Sequence, residues 1–344
     1  MNLKNKWFLQ LLAKNPWLII PNNKTINYFK YRISRKEAFI DRQKFKPVMG
    51  YLNITKRCNL SCDFCLIGSE INNNDWQSRE SNVNQVKEII DHHLFKDILY
   101  VVLFGGEPTM NVDLIQIVGM LKKRRHLVSM ISNGYKLAEK ATELARAGLD
   151  GVTVSLYDKN EDMLCRKLSL VTPHLPTKIC KMLDASIFDD PSPAERACDL
   201  ATKTGCVGVF FQNTLFTLTS TSDLSGAIMY DDQIEQYEVL KSSIESHFPK
   251  LPIYWPSLAP RSLPAKRICR MPWSTIFFDH LGSIGYCCKS NTSDHNNIFH
   301  NPEENIVNGE FWSNVRSGLL DNKSELSEMC RNCFIANDIY GATV

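Results

Sequence analysis

Nowhere in these 344 residues does an apolar run reach the ~20 residues that a bilayer-spanning helix needs. The one early run, residues 7–13, is cut short by Lys14-Asn15-Pro16 and meets no small-residue cleavage site, so neither a membrane span nor a secretory signal is expected. Charge of one sign is also scarce. Forty Lys and Arg stand against 37 Asp and Glu, and a net charge of +3 is too even to argue for a nucleic-acid partner. The one dense basic run, Lys122-Lys123-Arg124-Arg125, falls where a helix should end, and cations there suit the helix dipole at a solvated terminus. The even spread of a disulfide scaffold is missing too. Of 12 cysteines, three lie between residues 58 and 65 and five between 269 and 333. Thiols gathered in this way argue for metal ligation in a reducing compartment, and the chain reads as cytoplasmic.

What is present is an ordinary globular composition, 44% hydrophobic and 22% charged, over a length that holds one large core and a smaller module. Residues 1–47 are basic and aromatic, with Trp7, Trp17, Tyr28, Phe29 and Tyr31 among Lys and Arg. Their apolar positions keep no long helical period, so they read as a helix and loop packed on the main domain, with a surface that touches membrane or a partner as the lesser alternative. From 48 to 230, strands are expected at 51–55, 98–104, 127–131, 152–156, 177–183 and 207–213. Between them fall a helix carrying Val83, Val86, Ile90 and Leu94, one capped by Asn111, one ended by Gly148, and one at 193–204. Strands alternating with helices predict an α/β fold with right-handed crossovers and a parallel sheet, whose ligands bind at the carboxyl ends of the strands. A helix at 231–247 and a connector with five prolines fill 231–265, and 266–344 is expected to be a small α+β module.

The first gathering of thiols, Cys58-x3-Cys62-x2-Cys65, follows the first strand directly, with Phe64 before its last cysteine. Three thiolates on one short loop can converge on an inorganic cluster and are one short of the four that saturate it, which leaves one iron open. Spaced cysteines also suit zinc. One strand later, Phe104-Gly105-Gly106-Glu107-Pro108-Thr109 offers paired glycines where backbone can approach a ligand. Together the two motifs resemble the radical S-adenosylmethionine (SAM) superfamily over residues 48–215. That resemblance implies a partial (β/α)6 TIM-like barrel and a [4Fe-4S] cluster on Cys58, Cys62 and Cys65. It also implies SAM chelated at the open iron and an external electron donor of the flavodoxin or ferredoxin type. By the same resemblance, the backbone of Phe64 meets adenine. The turn of Gly105, Gly106, Glu107 and Pro108 takes the amino group of SAM, with the Glu107 side chain as its partner. Ser132, Asn133 and Ser155 then face the ribose and carboxylate, although a Ser-Asn-Gly turn by itself needs no ligand.

In the last segment Gly282 is expected to turn a β-hairpin that brings Cys287 back towards Cys269, and Cys330 and Cys333 complete a four-thiolate set. The glycine spacing favours Cys287 over its neighbour Cys288. Four thiolates saturate a cluster, and only eleven residues without cysteine follow Cys333. The pattern resembles the Twitch form of the SPASM extension, which implies one auxiliary cluster, expected as [4Fe-4S]; a zinc tetrathiolate would use the same spacing. Cys165, Cys180, Cys198 and Cys206 have no ligand spacing and are expected as small buried hydrophobes. Candidate substrate contacts are Tyr157, Asp158, Gln212, Asn213, Thr217, Tyr254 and Trp255. The expected reaction is hydrogen abstraction and net oxidation of a small polar molecule. A peptide maturase is the alternative, with residues 1–47 short and irregular for a leader-binding module, and a non-catalytic metal-binding protein is the third.

Overall fold

Helix-forming and strand-forming stretches alternate along the chain, and the computed structural model pairs the strands in sequence order. It describes residues 13–33, 46–62, 65, 80–214, 225–259, 261, 269–287, 297–300, 306–321 and 330. Among these, the strands are β1 (Met49–Thr55), β2 (Tyr100–Gly105), β3 (Leu127–Ser132), β4 (Gly151–Leu156), β5 (Thr177–Leu183), β6 (Gly208–Asn213), β7 (Ile253–Tyr254), β8 (Thr275–Phe278) and β9 (Ile284–Gly285). They form one sheet in the order β7-β6-β5-β4-β3-β2-β1-β8-β9, parallel except for the antiparallel pair β8–β9. Helix α1 (Asn23–Ile33) precedes the sheet. The crossovers from β1 to β6 are α2 (Val83–Asp91), α3 (Leu114–Lys123), α4 (Leu137–Ala147), α5 (Glu161–Val171) and α6 (Ser192–Thr204). Helix α7 (Ile234–His247) leads to β7, and α8 (Glu310–Asp321) follows the hairpin.

The alternation of side chains along each strand sorts the two faces. Leu52, Ile54, Val101, Leu103, Val128, Met130, Val154, Ile179, Val209 and Phe211 belong to the continuous core that the helices cover. The residues between them line the other face. There Tyr51 stacks on Phe277 at 4.4 Å between ring centroids, and Phe104 meets both edge-on. The six expected strands and the parallel sheet are present, and Gly148 ends α4 in the left-handed region, at φ +99°.

Two expectations are corrected. Asn111 does not cap a helix. It ends a 3-10 turn, Pro108–Met110, and α3 begins at Leu114. Its buried amide instead donates to the carbonyls of Ile54 (2.8 Å) and Ser81 (3.1 Å), so it ties the end of β1 to the β2 turn. Lys122 is not a solvated helix end, because its ammonium reaches Asp150 (2.6 Å) and Asn15 (2.8 Å). The C-terminal hairpin joins the main sheet, where β8 pairs with β1 from Met49↔Thr275 to Leu52↔Phe278. The reason is composition: Thr-Ile-Phe-Phe is buried at all four positions, as suits a parallel strand covered on both sides. Gly282 does turn this hairpin, at φ +84°, with Phe299 packed where a Cβ would stand.

The segment before β1 docks at the amino ends of the strands. Asn15 bonds Asp150 (2.8 Å), and Lys24 reaches the carbonyls of Lys96 (2.6 Å) and Ile98 (3.2 Å) beside His126. The His126 Nδ1–H donates to the Ile98 carbonyl (2.8 Å), and burial first, then the neighbouring Lys24, holds this imidazole down to about 3. Its folded value lies below the ordinary 6.5, so the unfolded chain takes up the proton first. Stability should therefore be level above pH ~6.5 and fall as the pH drops from there towards ~3. Urea midpoints measured across that window should decline, and His126→Gln should flatten the decline.

Candidate active site

β1 delivers the chain through Lys56 and Arg57 into Cys58, and the geometry there is set by backbone. Gly106 N–H donates to Thr55 O (2.7 Å) and Glu107 N–H to Arg57 O (2.7 Å), so the β2 turn is strapped to the strand end that carries the cysteines. The paired glycines are required by this strap. A Cβ on Gly105, at φ +143°, would stand 2.1 Å from Thr55 O, and one on Gly106 would stand 2.2 Å from Arg57 O. The close approach foreseen for a ligand is thus made by the cysteine loop itself. Arg57 is held by Glu80 (2.7 Å), whose other oxygen accepts from Val112 N–H (3.0 Å).

Glu107 is fully buried, and its carboxylate is already engaged. Oε1 accepts from Thr109 N–H (3.0 Å), Thr109 Oγ1 (2.5 Å) and Ser132 Oγ (2.8 Å), and Oε2 accepts from Asn133 N–H (2.6 Å). A carboxylate offers about two lone-pair sites on each oxygen, so Oε1 is fully used by the protein's own donors while Oε2 keeps room for one more, and the group fastens the β3 turn to the β2 turn. Asn133 passes the connection on. Its side-chain Nδ2 donates to Asn59 Oδ1 (2.8 Å) and lies 3.7 Å from Cys58 Sγ, while its carbonyl accepts from Asn160 (2.9 Å). Ser132 and Asn133, expected to face SAM, therefore spend their polar side-chain atoms on the scaffold. Glu107→Gln removes the charge to which these donors are matched. It should cost about 3 kcal/mol in urea unfolding of metal-free protein. Unchanged stability would mean that the carboxylate acts on a ligand alone.

The sulfur of Cys58 receives two N–H groups, from Leu60 (3.4 Å) and from Asn133. Burial raises its pKa above the ordinary thiol value, the Leu60 N–H opposes this, and Glu107, Cys65 and Cys62 add to the rise. Cys65 N–H also bonds Cys62 O (3.0 Å), which closes the loop. Among the described residues no three His, Cys, Asp or Glu side chains close on a single ion. A thiol-only donor set, with N–H groups aimed at sulfur, fits an iron-sulfur cluster, whose sulfurs are commonly hydrogen-bonded.

Across β4 to β7 runs a row of register partners that includes two expected site residues, Ser155 and Tyr254. Ser155 on β4 pairs with Cys180 on β5, Cys180 with Phe210, and Phe210 with Tyr254. Tyr157 adjoins the row. Burial pushes its phenol up to about 12, with Cys180, Cys62 and Cys65 adding and a hydrogen bond to Ser155 opposing, so it stays a neutral donor beside the cysteine loop. Burial likewise pushes the Cys180 thiol up to about 12. Of the other barrel cysteines, Cys198 is buried in the core as expected, Cys206 is half-buried against it, and Cys165 is exposed on α5. Asn160, which nothing in the sequence marks, is buried and bridges Asn133 O, Ser155 O and Tyr157 N–H. Gln212 is exposed on β6, and Asp158 pairs with Lys181 (3.0 Å). Two expected substrate contacts point elsewhere: Asn213 clamps Met229 (2.8 and 3.0 Å), and Trp255 packs on Phe211 and Tyr237.

Of the second thiol set, Cys287 leaves the β8–β9 hairpin and Cys330 lies 3.6 Å from the Tyr286 hydroxyl. Cys269 packs beside Val48 and Trp273. Phe64, Thr217, Cys288 and Cys333 lie outside the described residues.

Residues 52–184 match the Radical SAM superfamily model. A probable GTP 3',8-cyclase of Saccharolobus islandicus is 38% identical over 107 residues, 31% of this chain and 33% of the relative. One of Thermoplasma volcanium is 36% identical over 120 residues, 34% and 35% of the two chains. The matched stretch therefore spans about a third of the length of these relatives. Among solved structures, Streptococcus suis SuiB bound to precursor peptide SuiA aligns with TM-score 0.57 and 12% identity over 85% of this chain and 70% of that one. anSMEcpe with bound AdoMet and a peptide aligns with TM-score 0.53 and 12% identity over 85% and 88%. Both share the mostly parallel, partial-barrel fold.

Proposed function

We propose that the protein is a radical SAM enzyme, on the match of residues 52–184 to that superfamily's model, and that it cleaves SAM reductively and abstracts a hydrogen atom from a small polar substrate. When bound on Cys58, Cys62 and Cys65, a [4Fe-4S] cluster with one open iron would supply the electron that splits the SAM sulfonium into methionine and a 5'-deoxyadenosyl radical. The chain's own part is to hold and shield. Asn133 and the Leu60 N–H steady the Cys58 sulfur, and Glu107 locks the turns on which both loops stand. Tyr157 and Ser155 offer neutral hydrogen bonds to a polar ligand at the strand ends. The observation that carries this reading is the Cys58 sulfur, which accepts two N–H groups on a loop strapped to the glycine turn.

The overall reaction we propose is an oxidation. Cys269, Cys287, Cys330 and Cys333 would hold a closed auxiliary cluster, and such a group would supply an acceptor for the second electron. A nucleotide falls within the small polar class, and the curated relatives' name points to one. A peptide is the second reading, favoured by the SuiA peptide bound to SuiB. The test is anaerobic reconstitution, iron and sulfide counting, and release of 5'-deoxyadenosine on reduction with SAM, followed by a product screen with nucleotides, sugars and peptides. Bound zinc with neither iron nor SAM cleavage would overturn the reading. Cys330→Ala is expected to spare uncoupled SAM cleavage while stopping substrate conversion. Full product formation by that variant would remove the auxiliary cluster from the reaction.

A further inference from the structure

Helix α1 is built inside out. Its buried side is polar: Thr25 and Asn27 face the protein, and Asn27 bonds the carbonyls of Lys46 (3.0 Å) and Pro47 (3.3 Å) and the N–H of Lys46 (3.1 Å). Lys24 points the same way, and Tyr31 anchors that side against Val48, Trp273 and Leu319. The opposite side is apolar and lies in solvent. Ile26, Phe29 and Ile33, spaced three and four residues apart on one face, are 43%, 62% and 77% exposed. Ile19 and Ile20, just before the helix, are 71% and 63% exposed. An amphipathic helix on a soluble domain turns its apolar stripe to the core, and a patch that does the reverse marks an interaction surface.

The charge around this patch identifies its partner. Residues 13–33 hold four Lys and Arg and no Asp or Glu, and Lys14, Lys30 and Arg32 are exposed beside the isoleucines. The acid-free stretch runs from residue 1 to 36 and carries eight Lys and Arg, so the rest of a chain with net charge +3 is acidic by five. We propose that this face rests on an anionic lipid surface, with Ile19, Ile20, Ile26, Phe29 and Ile33 in the acyl boundary and the cations at the headgroups. A bilayer interface offers both halves of this chemistry, an apolar layer beneath a negative one. A second copy would bring two strongly positive segments face to face. Nucleic acid would meet the cations but give the aliphatic side chains nothing to bury them. No described helix is long and apolar enough to cross a membrane, so the contact is one of lying on the surface. Because α1 docks at the amino ends of the strands, the cysteine loop at their carboxyl ends would face away from the lipid, about 20 Å distant.

The test is co-sedimentation of the full chain with vesicles of phosphatidylcholine alone or with about 30% phosphatidylglycerol. Binding should be at least about tenfold greater to the anionic vesicles and should be lost in about 0.5 M salt. Phe29→Ser with Ile33→Ser should reduce it at least about tenfold while leaving the unfolding midpoint and circular dichroism unchanged, since both side chains are already in solvent. Equal sedimentation of parent and double variant would overturn the proposal. So would a solution dimer that the double variant abolishes, which would give the face to a second copy, or retention on DNA equal to that on anionic vesicles. None of these readouts depends on SAM chemistry, so failure here leaves the proposed reaction intact.

Discussion

Cys62→Ala is expected to give a folded protein that releases no 5'-deoxyadenosine above background. Cys62 is half-exposed, and its backbone carbonyl accepts from Cys65 N–H (3.0 Å), a bond that alanine retains. Loss of the thiol should therefore move the unfolding free energy of metal-free protein by no more than about 0.5 kcal/mol. With two thiolates left on the loop, the cluster loses a corner, and SAM cleavage should fall at least about 100-fold. Iron content after anaerobic reconstitution should drop by the share of one cluster while that of the second thiol set is kept. Parent-level 5'-deoxyadenosine release would show that the loop is not the site of SAM cleavage. The contrast with Cys330→Ala is informative, because that variant should keep SAM cleavage and lose only the product.

The second large effect is expected at Gly106. A Cβ there would stand 2.2 Å from Arg57 O, 2.6 Å from Arg57 C and 2.8 Å from Lys56 O, all of them backbone atoms that cannot swing aside as a side chain would. Gly106→Ala must therefore break the strap formed by Gly106 N–H to Thr55 O and Glu107 N–H to Arg57 O, or push the cysteine loop outward. We expect a loss of about 3 kcal/mol in urea unfolding, accompanied by poor iron loading because Cys58 follows Arg57 directly. Gly119 is the internal control. It lies within α3 and a Cβ on it meets nothing within 4 Å, so Gly119→Ala should stabilise by about 0.5–1 kcal/mol through helix propensity alone. A glycine turn needed only by a ligand would leave Gly106→Ala as stable as the parent, with weaker SAM binding as its sole defect.

Much of the architecture was legible because it is written in local periodicity. Buried parallel strands such as residues 98–104 are continuous apolar runs, and the left-handed glycine after α4 stands where the helix pattern stops. The substrate-side assignments were less legible, for a reason that Glu107 and Asn213 illustrate. A polar residue at a strand end reads the same whether it meets a ligand or satisfies a neighbouring turn, and both of these residues turned out to clamp backbone. Asn111, expected only as a helix cap, and Asn160, which was not marked at all, show the converse: a lone asparagine carries no spacing signal, yet each joins two or three loops through a buried amide.

The sequence by itself determined the order of the six strands β1 to β6 and of four of the five crossover helices between them, the loop on which Cys58, Cys62 and Cys65 lie, and the hairpin turned by Gly282, because each depends on residues a few positions apart. Only the tertiary structure decided that β8 extends the sheet beside β1, that Gly105 and Gly106 receive the cysteine loop, and that α1 turns its apolar side outward. Those outcomes rest on which surfaces meet across long stretches of chain. Hydrogen-bond matching and close packing between distant segments determine them, and local pattern cannot encode either one.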